Sequence, residues 1–260
     1  MSEVAAPVKG TRPEGAGNEA EASKKVREMF TQIAPRYDLL NHLLSFELDR
    51  IWRRRAAKRL RPILERADAV VLDLCCGTGD LAFALAHAGK SRIIGADFAH
   101  PMLVRASSKG AAQSPPGRAG SRSRMKFFEA DALQLPFADG SFDLVTSAFG
   151  FRNLANYEAG LREVYRVLKP GGTMAILEFA EPPQGFLGNV YRWYFTQALP
   201  WVGRLISGHP SAYTYLPKSV ARFFHPPELA ALLRSVGFQS VDFCEWTMRT
   251  VALHTGVRCR

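Results

Sequence analysis

Apolar positions along the chain follow two rhythms, one helical and one short and strand-like. From Ser23 onward, Val26, Met29, Phe30 and Ile33 recur at spacings of three and four, which predicts an amphipathic helix that Pro35 interrupts. Leu48, Ile51 and Trp52 lead into a second, arginine-rich helix that Pro62 ends. Beyond it the period shortens. Residues 69–74 predict a strand, 81–88 a helix, 92–96 a strand and 101–108 a helix, an alternation that builds a parallel sheet. Strands over 125–129, 142–146 and 173–179 and a helix over 157–168 continue it, with Lys169-Pro170-Gly171-Gly172 as a turn. A helix over 227–235 and two strands, 238–245 and 247–254, close the chain as an antiparallel edge hairpin.

Three stretches break the rhythm. Residues 1–22, rich in Ala, Gly, Glu and Pro without apolar periodicity, read as a disordered leader. Residues 110–124 read as a flexible insertion in one connection. Residues 182–225 read as an inserted cap, whose 186–206 segment interleaves Phe, Trp and Tyr with Arg192 and Arg204. The expected architecture is one α/β domain over 23–260, a doubly wound sheet preceded by helices over 23–62.

Composition narrows the choice of partners. A formal net charge of +10 favours anionic surfaces, and Arg53, Arg54, Arg55, Lys58, Arg59 and Arg61 form its densest cluster. That cluster is either a solvated helix face or a contact with an anionic membrane surface, with nucleic acid ranking third. No run approaches the ~18 apolar residues of a membrane-spanning helix, and no apolar leader marks secretion. The four cysteines include the adjacent Cys75 and Cys76 but no CxxC pair, so neither a disulfide framework nor a zinc site is expected. The cytoplasm, with a possible station at the inner face of the membrane, fits best. Self-association stays open.

The chemistry concentrates in Val71-Leu72-Asp73-Leu74-Cys75-Cys76-Gly77-Thr78-Gly79-Asp80. Gly77, Gly79 and Ala82 satisfy a loose GxGxxG/A fingerprint between a strand and a helix, and Asp97 ends the next strand, where a ribose-binding acid belongs. Alone, the fingerprint also fits a nicotinamide dinucleotide. The acids Asp73 and Asp80 tip the balance, because they suit a ligand with an ammonium and a sulfonium better than a pyrophosphate. Asp131-Ala132, directly after the third strand, can hydrogen-bond an adenine amine. The expected cofactor is S-adenosylmethionine, held by Asp73, Gly77, Thr78, Gly79, Asp97, Asp131 and Ala132.

The segments Leu135-Pro136-Phe137-Ala138-Asp139-Gly140-Ser141-Phe142-Asp143 and Arg166-Val167-Leu168-Lys169-Pro170-Gly171-Gly172 resemble those of class I methyltransferases, which implies a Rossmann-like, seven-stranded sheet. The run Tyr37-Asp38-Leu39-Leu40-Asn41-His42-Leu43-Leu44-Ser45, followed by Trp52, resembles more narrowly the ubiquinone/menaquinone biosynthesis C-methyltransferases. So do Phe149-Gly150-Phe151-Arg152-Asn153 and Tyr213-Thr214-Tyr215-Leu216-Pro217. Asp49 stands where that family usually carries His, Ala180 where it carries Ser, and Ala148 where some members carry a cofactor-binding Ser. The resemblance implies methylation of a ring carbon of a prenylated quinol, either demethylmenaquinol or a ubiquinone precursor. A phospholipid N-methyltransferase and a non-catalytic binding module are the alternatives. Arg152, aided by Asn153, is the expected partner of the developing phenolate; Tyr37, His42 and Tyr215 are expected at the substrate.

Overall fold

The computed structural model describes residues 10–112, 124–180 and 210–260, together with the isolated positions 185, 188, 192, 193 and 197. Seven strands form one sheet: β1 (Val70–Leu74), β2 (Arg92–Asp97), β3 (Met125–Glu129), β4 (Phe142–Ala148), β5 (Leu168–Phe179), β6 (Gln239–Trp246) and β7 (Val251–Val257). Their order is β3-β2-β1-β4-β5-β7-β6, parallel except for β7, which runs antiparallel to both of its neighbours. Helices α1 (Glu19–Ile33), α2 (Tyr37–Leu44), α3 (Leu48–Arg59) and α4 (Arg61–Leu64) precede the sheet. Helices α5 (Asp80–Ala88), α6 (His100–Ala112), α7 (Tyr157–Val167), α8 (Pro210–Ala221) and α9 (Pro226–Val236) follow.

Period-two alternation in β1 feeds two cores. Leu72 and Leu74 face α7 and α9 with Leu161, Val164, Leu229 and Leu233, whereas Val71 faces α3 and α5 with Trp52, Ala56, Leu81 and Leu85. Both faces of the central strands are therefore covered, which is why they are nearly continuous apolar runs.

Several boundaries differ from the sequence reading. The expected end of the leader at residue 22 falls inside α1, which starts at Glu19 because the Asn18 side chain accepts from the Glu21 N–H at 2.9 Å. Upstream, the Thr11 N–H donates to the Leu154 carbonyl at 2.7 Å and Arg12 Nη1 to that of Ala155 at 2.7 Å, so residues 10–12 are docked on the domain. Residues 1–9 lie outside the described residues. Of the expected insertion, 110–112 belong to α6 and 113–123 lie outside; of the expected cap, 210–221 form α8, and 186–206 lie almost wholly outside.

The expected turn at 169–172 is instead the irregular start of β5, where the Gly171 N–H donates to the Arg258 carbonyl, the Arg258 N–H donates to the Gly172 carbonyl, and the register with β4 shifts. The last strand begins at Val251, not residue 247, because Thr247, Met248 and Arg249 all take left-handed φ values (+51, +51 and +66). The Thr250 N–H closes that turn on the Thr247 carbonyl at 3.1 Å.

Candidate active site

Strand order reverses between β1 and β4, so the chain leaves their carboxyl ends in opposite directions and opens a crevice there. The 75–79 loop lines it, turning through left-handed backbone at Cys75, Gly77 and Gly79 (φ +54, +55 and +86). A Cβ on Gly79 would also stand 3.1 Å from the Phe83 ring and 3.2 Å from that of Phe127, so space as well as conformation calls for glycine. The resulting cavity holds about 880 Å³, counting its open mouth.

Buried and half-buried carboxylates line this cavity. Asp73 on β1 is 1% exposed; its Oδ1 accepts from Thr146 Oγ1 at 2.9 Å, while Oδ2 has no hydrogen-bond partner within reach among the described residues. Burial raises its pKa to about 7. Asp97 closes β2, accepting from the Gly77 N–H at 2.8 Å and the Ala99 N–H at 2.9 Å, and burial raises it to about 6. Asp131 accepts from the Leu133 N–H at 2.9 Å, which holds the turn after β3 with Ala132 at the wall. Desolvation pushes the thiols of Cys75 and Cys76 well above their ordinary range, consistent with small packing groups.

Apolar side chains, Phe30, Met102, Leu133, Phe149 and Leu154, line the same cavity. Over it lie the N-terminal helices, which contribute Ser23, Phe30, Tyr37 and Arg53. A polar clasp binds this roof to the 75–79 loop. Lys109 Nζ lies 2.7 Å from Asp38 on α2, 2.7 Å from Asp80 on α5 and 3.0 Å from Thr78 Oγ1, which itself donates to Asp38. Next to it, His42 Nδ1 sits 2.9 Å from Asp49 and Nε2 3.7 Å from Asp80. Ligand atoms of His42, Asp49 and Asp80 lie within 4.8 Å of one another, a spacing a metal would accept. Their charges are already met by Arg53 on Asp49 and Lys109 on Asp80.

Asp73, Gly77, Thr78, Asp97, Asp131, Ala132, Tyr37 and Asn153 thus share one cavity, and Gly79 shapes its loop from behind. Three expected residues do not line it. Arg152 is buried with its Nη1 2.9 Å from Glu178 Oε2 and 2.5 Å from the Phe149 carbonyl, because a guanidinium out of water needs a counter-charge. His42 is spent on Asp49 and Asp80. Tyr215 stands behind the wall, where its hydroxyl donates to Asn153 Oδ1 at 3.0 Å and lies 2.8 Å from Thr11 Oγ1. That leaves the Asn153 Nδ2 donors without a partner among the described residues.

Arg53, Lys109 and Glu178 carry this geometry and were not singled out individually by the sequence reading. Arg53 carried a readable signal, since it shares the helix face of Trp52, Ala56 and Ala57 and all are buried. Glu178 and Lys109 carried none, because their partners are far away in the chain.

The residues present fit a cofactor with a cationic centre and a ribose. An unpaired buried carboxylate oxygen on Asp73 awaits a donor, the acids Asp80, Asp97 and Asp131 ring the same space, and no pyrophosphate-binding cation projects from the glycine loop.

Comparison with known proteins agrees. The model of the ubiE/COQ5 methyltransferase family matches residues 18–258. The chain is 51% identical to the demethylmenaquinone methyltransferase of Thermus thermophilus over 88% of this chain and 100% of that protein. It is 46% identical to the one of Deinococcus radiodurans, over 86% and 89%. It is 41% identical to the ubiquinone/menaquinone biosynthesis C-methyltransferase UbiE of Geotalea daltonii, over 91% and 97%. Among solved structures it resembles in fold a Thermotoga maritima SAM-dependent methyltransferase described as a possible histamine N-methyltransferase (TM-score 0.60, 18% identity, 90% of this chain and 99% of that one). It also resembles the [4+2]-cyclase SpnF (TM-score 0.66, 16% identity, 98% and 99%). Taken with the acid-ringed crevice at the switch point, the match over nearly the whole chain means that this protein belongs to the ubiE/COQ5 methyltransferase family.

Proposed function

We propose that the protein methylates a ring carbon of demethylmenaquinol, using S-adenosylmethionine, the cofactor of its family. The observation that carries this reading is that one cavity is lined by carboxylates together with apolar and aromatic side chains, which suits a cationic cofactor beside a flat hydrophobic ring. The naphthoquinol is favoured over the benzoquinol because the relatives at 51% and 46% identity are demethylmenaquinone methyltransferases.

In this reading Asp97 holds the ribose hydroxyls, Asp131 and Ala132 the adenine edge, and Asp73 with the 77–79 loop the cationic amino-acid end. The bound cofactor supplies an electrophilic methyl group. The protein's own task lies at the quinol. A ring carbon becomes nucleophilic as the adjacent hydroxyl passes its proton to solvent, and the methylated ring regains aromaticity by losing that carbon's own hydrogen as a proton to solvent; an N–H aimed at the oxygen stabilises the transition state more than the ground state. Asn153 is the candidate, its Oδ1 fixed by Tyr215 and its Nδ2 left to donate. Arg152 acts from behind, fixing the 149–153 turn through Glu178 instead of touching the substrate. Phe149 and Leu154 exclude water from the reacting carbon, and Tyr37 packs from the roof. The isoprenoid tail of such a quinol is lodged in a bilayer, which places the protein beside a lipid surface during turnover.

The test is incubation of the purified protein with methyl-labelled S-adenosylmethionine and, separately, reduced demethylmenaquinone, a 2-methoxy-6-polyprenyl-1,4-benzoquinol and phosphatidylethanolamine. Label in the naphthoquinol is expected. Label in phosphatidylethanolamine alone, or in no acceptor, overturns the reading.

A further inference from the structure

Helix α3 has two opposed faces. Asp49, Trp52, Arg53, Ala56 and Ala57 are buried against the domain, while Arg50, Ile51, Arg54, Arg55, Lys58 and Arg59 face solvent. Arg50 is paired with Glu47 at 2.8 Å and Arg59 with Asp242 at 3.7 Å. Arg54, Arg55 and Lys58 have no acid in salt-bridge reach among the described residues, so this face carries three uncompensated positive charges.

The end of this helix nearest the cavity is apolar. Ile51 is 43% exposed, Phe46 just before the helix 71%, and Leu39 on α2 62%. Met248, 56% exposed, sits at the tip of the β6–β7 turn, which Trp52 Nε1 pins to α3 by donating to Thr247 Oγ1 at 2.8 Å. Phe46 and Met248 both occupy left-handed backbone (φ +51 each), so each apolar side chain stands at the tip of a tight turn. Exposed apolar tips backed by unpaired cations are the arrangement of an interfacial protein: the tips enter the acyl boundary while the cations remain at anionic headgroups. The same elements border the active site, since Tyr37 on α2 and Arg53 on α3 line its cavity.

We propose that this surface, the outer face of α3 with the tips at Phe46, Ile51 and Met248, seats the protein on an anionic lipid bilayer. The seat turns the roofed side of the cavity toward the membrane. The surface stands on its own exposure and charge, and only its purpose, delivery of a membrane-lodged quinol, rests on the function proposed above. No helix among the described residues is long and apolar enough to cross a membrane.

The experiment is flotation of the full chain with vesicles of phosphatidylglycerol and phosphatidylcholine, and with phosphatidylcholine alone, at low and physiological salt. Two variants are compared with the unaltered protein, Arg54→Glu/Arg55→Glu/Lys58→Glu and Ile51→Ser/Met248→Ser. All five side chains are exposed and outside the cavity, and a cofactor titration confirms that each variant is folded; should the triple variant not fold, Arg55→Gln replaces it. Binding to the anionic vesicles is expected, weakened by salt, and reduced about tenfold or more by the triple variant. The apolar variant should lower it several-fold.

Equal binding to both vesicle types, no binding, or an unweakened triple variant overturns the proposal. An unweakened apolar variant overturns seating by insertion. A dimer in sedimentation that either variant dissociates assigns the face to a second copy and overturns it too. Methyl transfer to a short-tailed quinol, run in parallel, separates the claims: transfer without vesicle binding refutes only this surface, and vesicle binding without transfer refutes only the proposed reaction.

Discussion

Arg152 and Glu178 form a buried ion pair that spans the crevice end of the sheet, linking the turn after β4 to the end of β5 with Nη1 2.9 Å from Oε2. Each side chain is the other's counter-charge, and the Arg152 N–H also donates to Glu178 Oε1 at 3.2 Å. Removing one partner leaves the other charged in a site without water. Glu178→Ala is therefore expected to destabilise the fold by about 3–5 kcal/mol, whereas Arg152→Met/Glu178→Leu recovers most of that loss. Thermal melts of the singles and the double measure it, and a double no more stable than either single would show that the pair is not the cause.

Asp73 makes stability and cofactor binding oppose each other. Its folded pKa of about 7 lies above the unfolded value near 3.8, so between those values the folded state holds the extra proton. Stability from this group is full below the unfolded value and is lost as pH rises toward 7. Asp73→Asn should thus raise the melting temperature of the ligand-free protein by several degrees at pH 8, with little gain at pH 4. The same change should weaken S-adenosylmethionine binding about a hundredfold or more. In the unaltered protein, affinity should rise from pH 6 to pH 8 as Asp73 ionises, read by calorimetric titration.

Tyr215 offers a way to separate positioning from contact. Its hydroxyl fixes Asn153 Oδ1 from behind the cavity wall, so Tyr215→Phe leaves the amide free to rotate. The expected result is a drop in kcat of about tenfold with KM for the cofactor within about twofold. Asn153→Ala should cost more, about a hundredfold in kcat. Equal losses for both, accompanied by a lower melting temperature, would mean that Tyr215 serves stability alone.

Asp49 tests the roof. Burial alone would raise its pKa, but Arg53, Ser45 and His42 outweigh burial and hold it below the usual carboxylate range. Its contribution is present above the unfolded pKa near 3.8 and is lost as pH falls through the lower folded value. Asp49→His removes the counter-charge of Arg53 and puts an imidazole beside it and His42, and should cost about 2–4 kcal/mol. The reciprocal change His42→Asp, added to it, should restore part of the loss. Circular dichroism melts across pH 5–8 report both.

The sheet was legible because period-two strands alternate with period-3.6 helices, and the cofactor acids because Asp73, Asp97 and Asp131 lie in or directly after successive strands, where topology alone sends them to one end. The substrate side was not. Arg152, His42 and Tyr215 each carry suitable chemistry, yet side-chain direction is set by partners remote in sequence: Glu178 for the first, Asp80 for the second, and Thr11 for the third. Thr11 itself falls in a stretch whose composition reads as disorder, although its backbone N–H is paired with Leu154. The same holds for the turn at 247–249, since nothing in Thr-Met-Arg announces three left-handed residues.

Lys109 touches Asp38 and Asp80 at the same distance, one on the roof and one at the helix that opens after the glycine loop. One ammonium on α6 therefore joins α2 to the start of α5. Lifting α2 costs Asp38 its cation while Asp80 keeps it, so amide hydrogens of α2 should exchange no more slowly than those at the start of α5. The helix that roofs the cavity and the helix that opens after its glycine loop are thus held together by one shared positive charge.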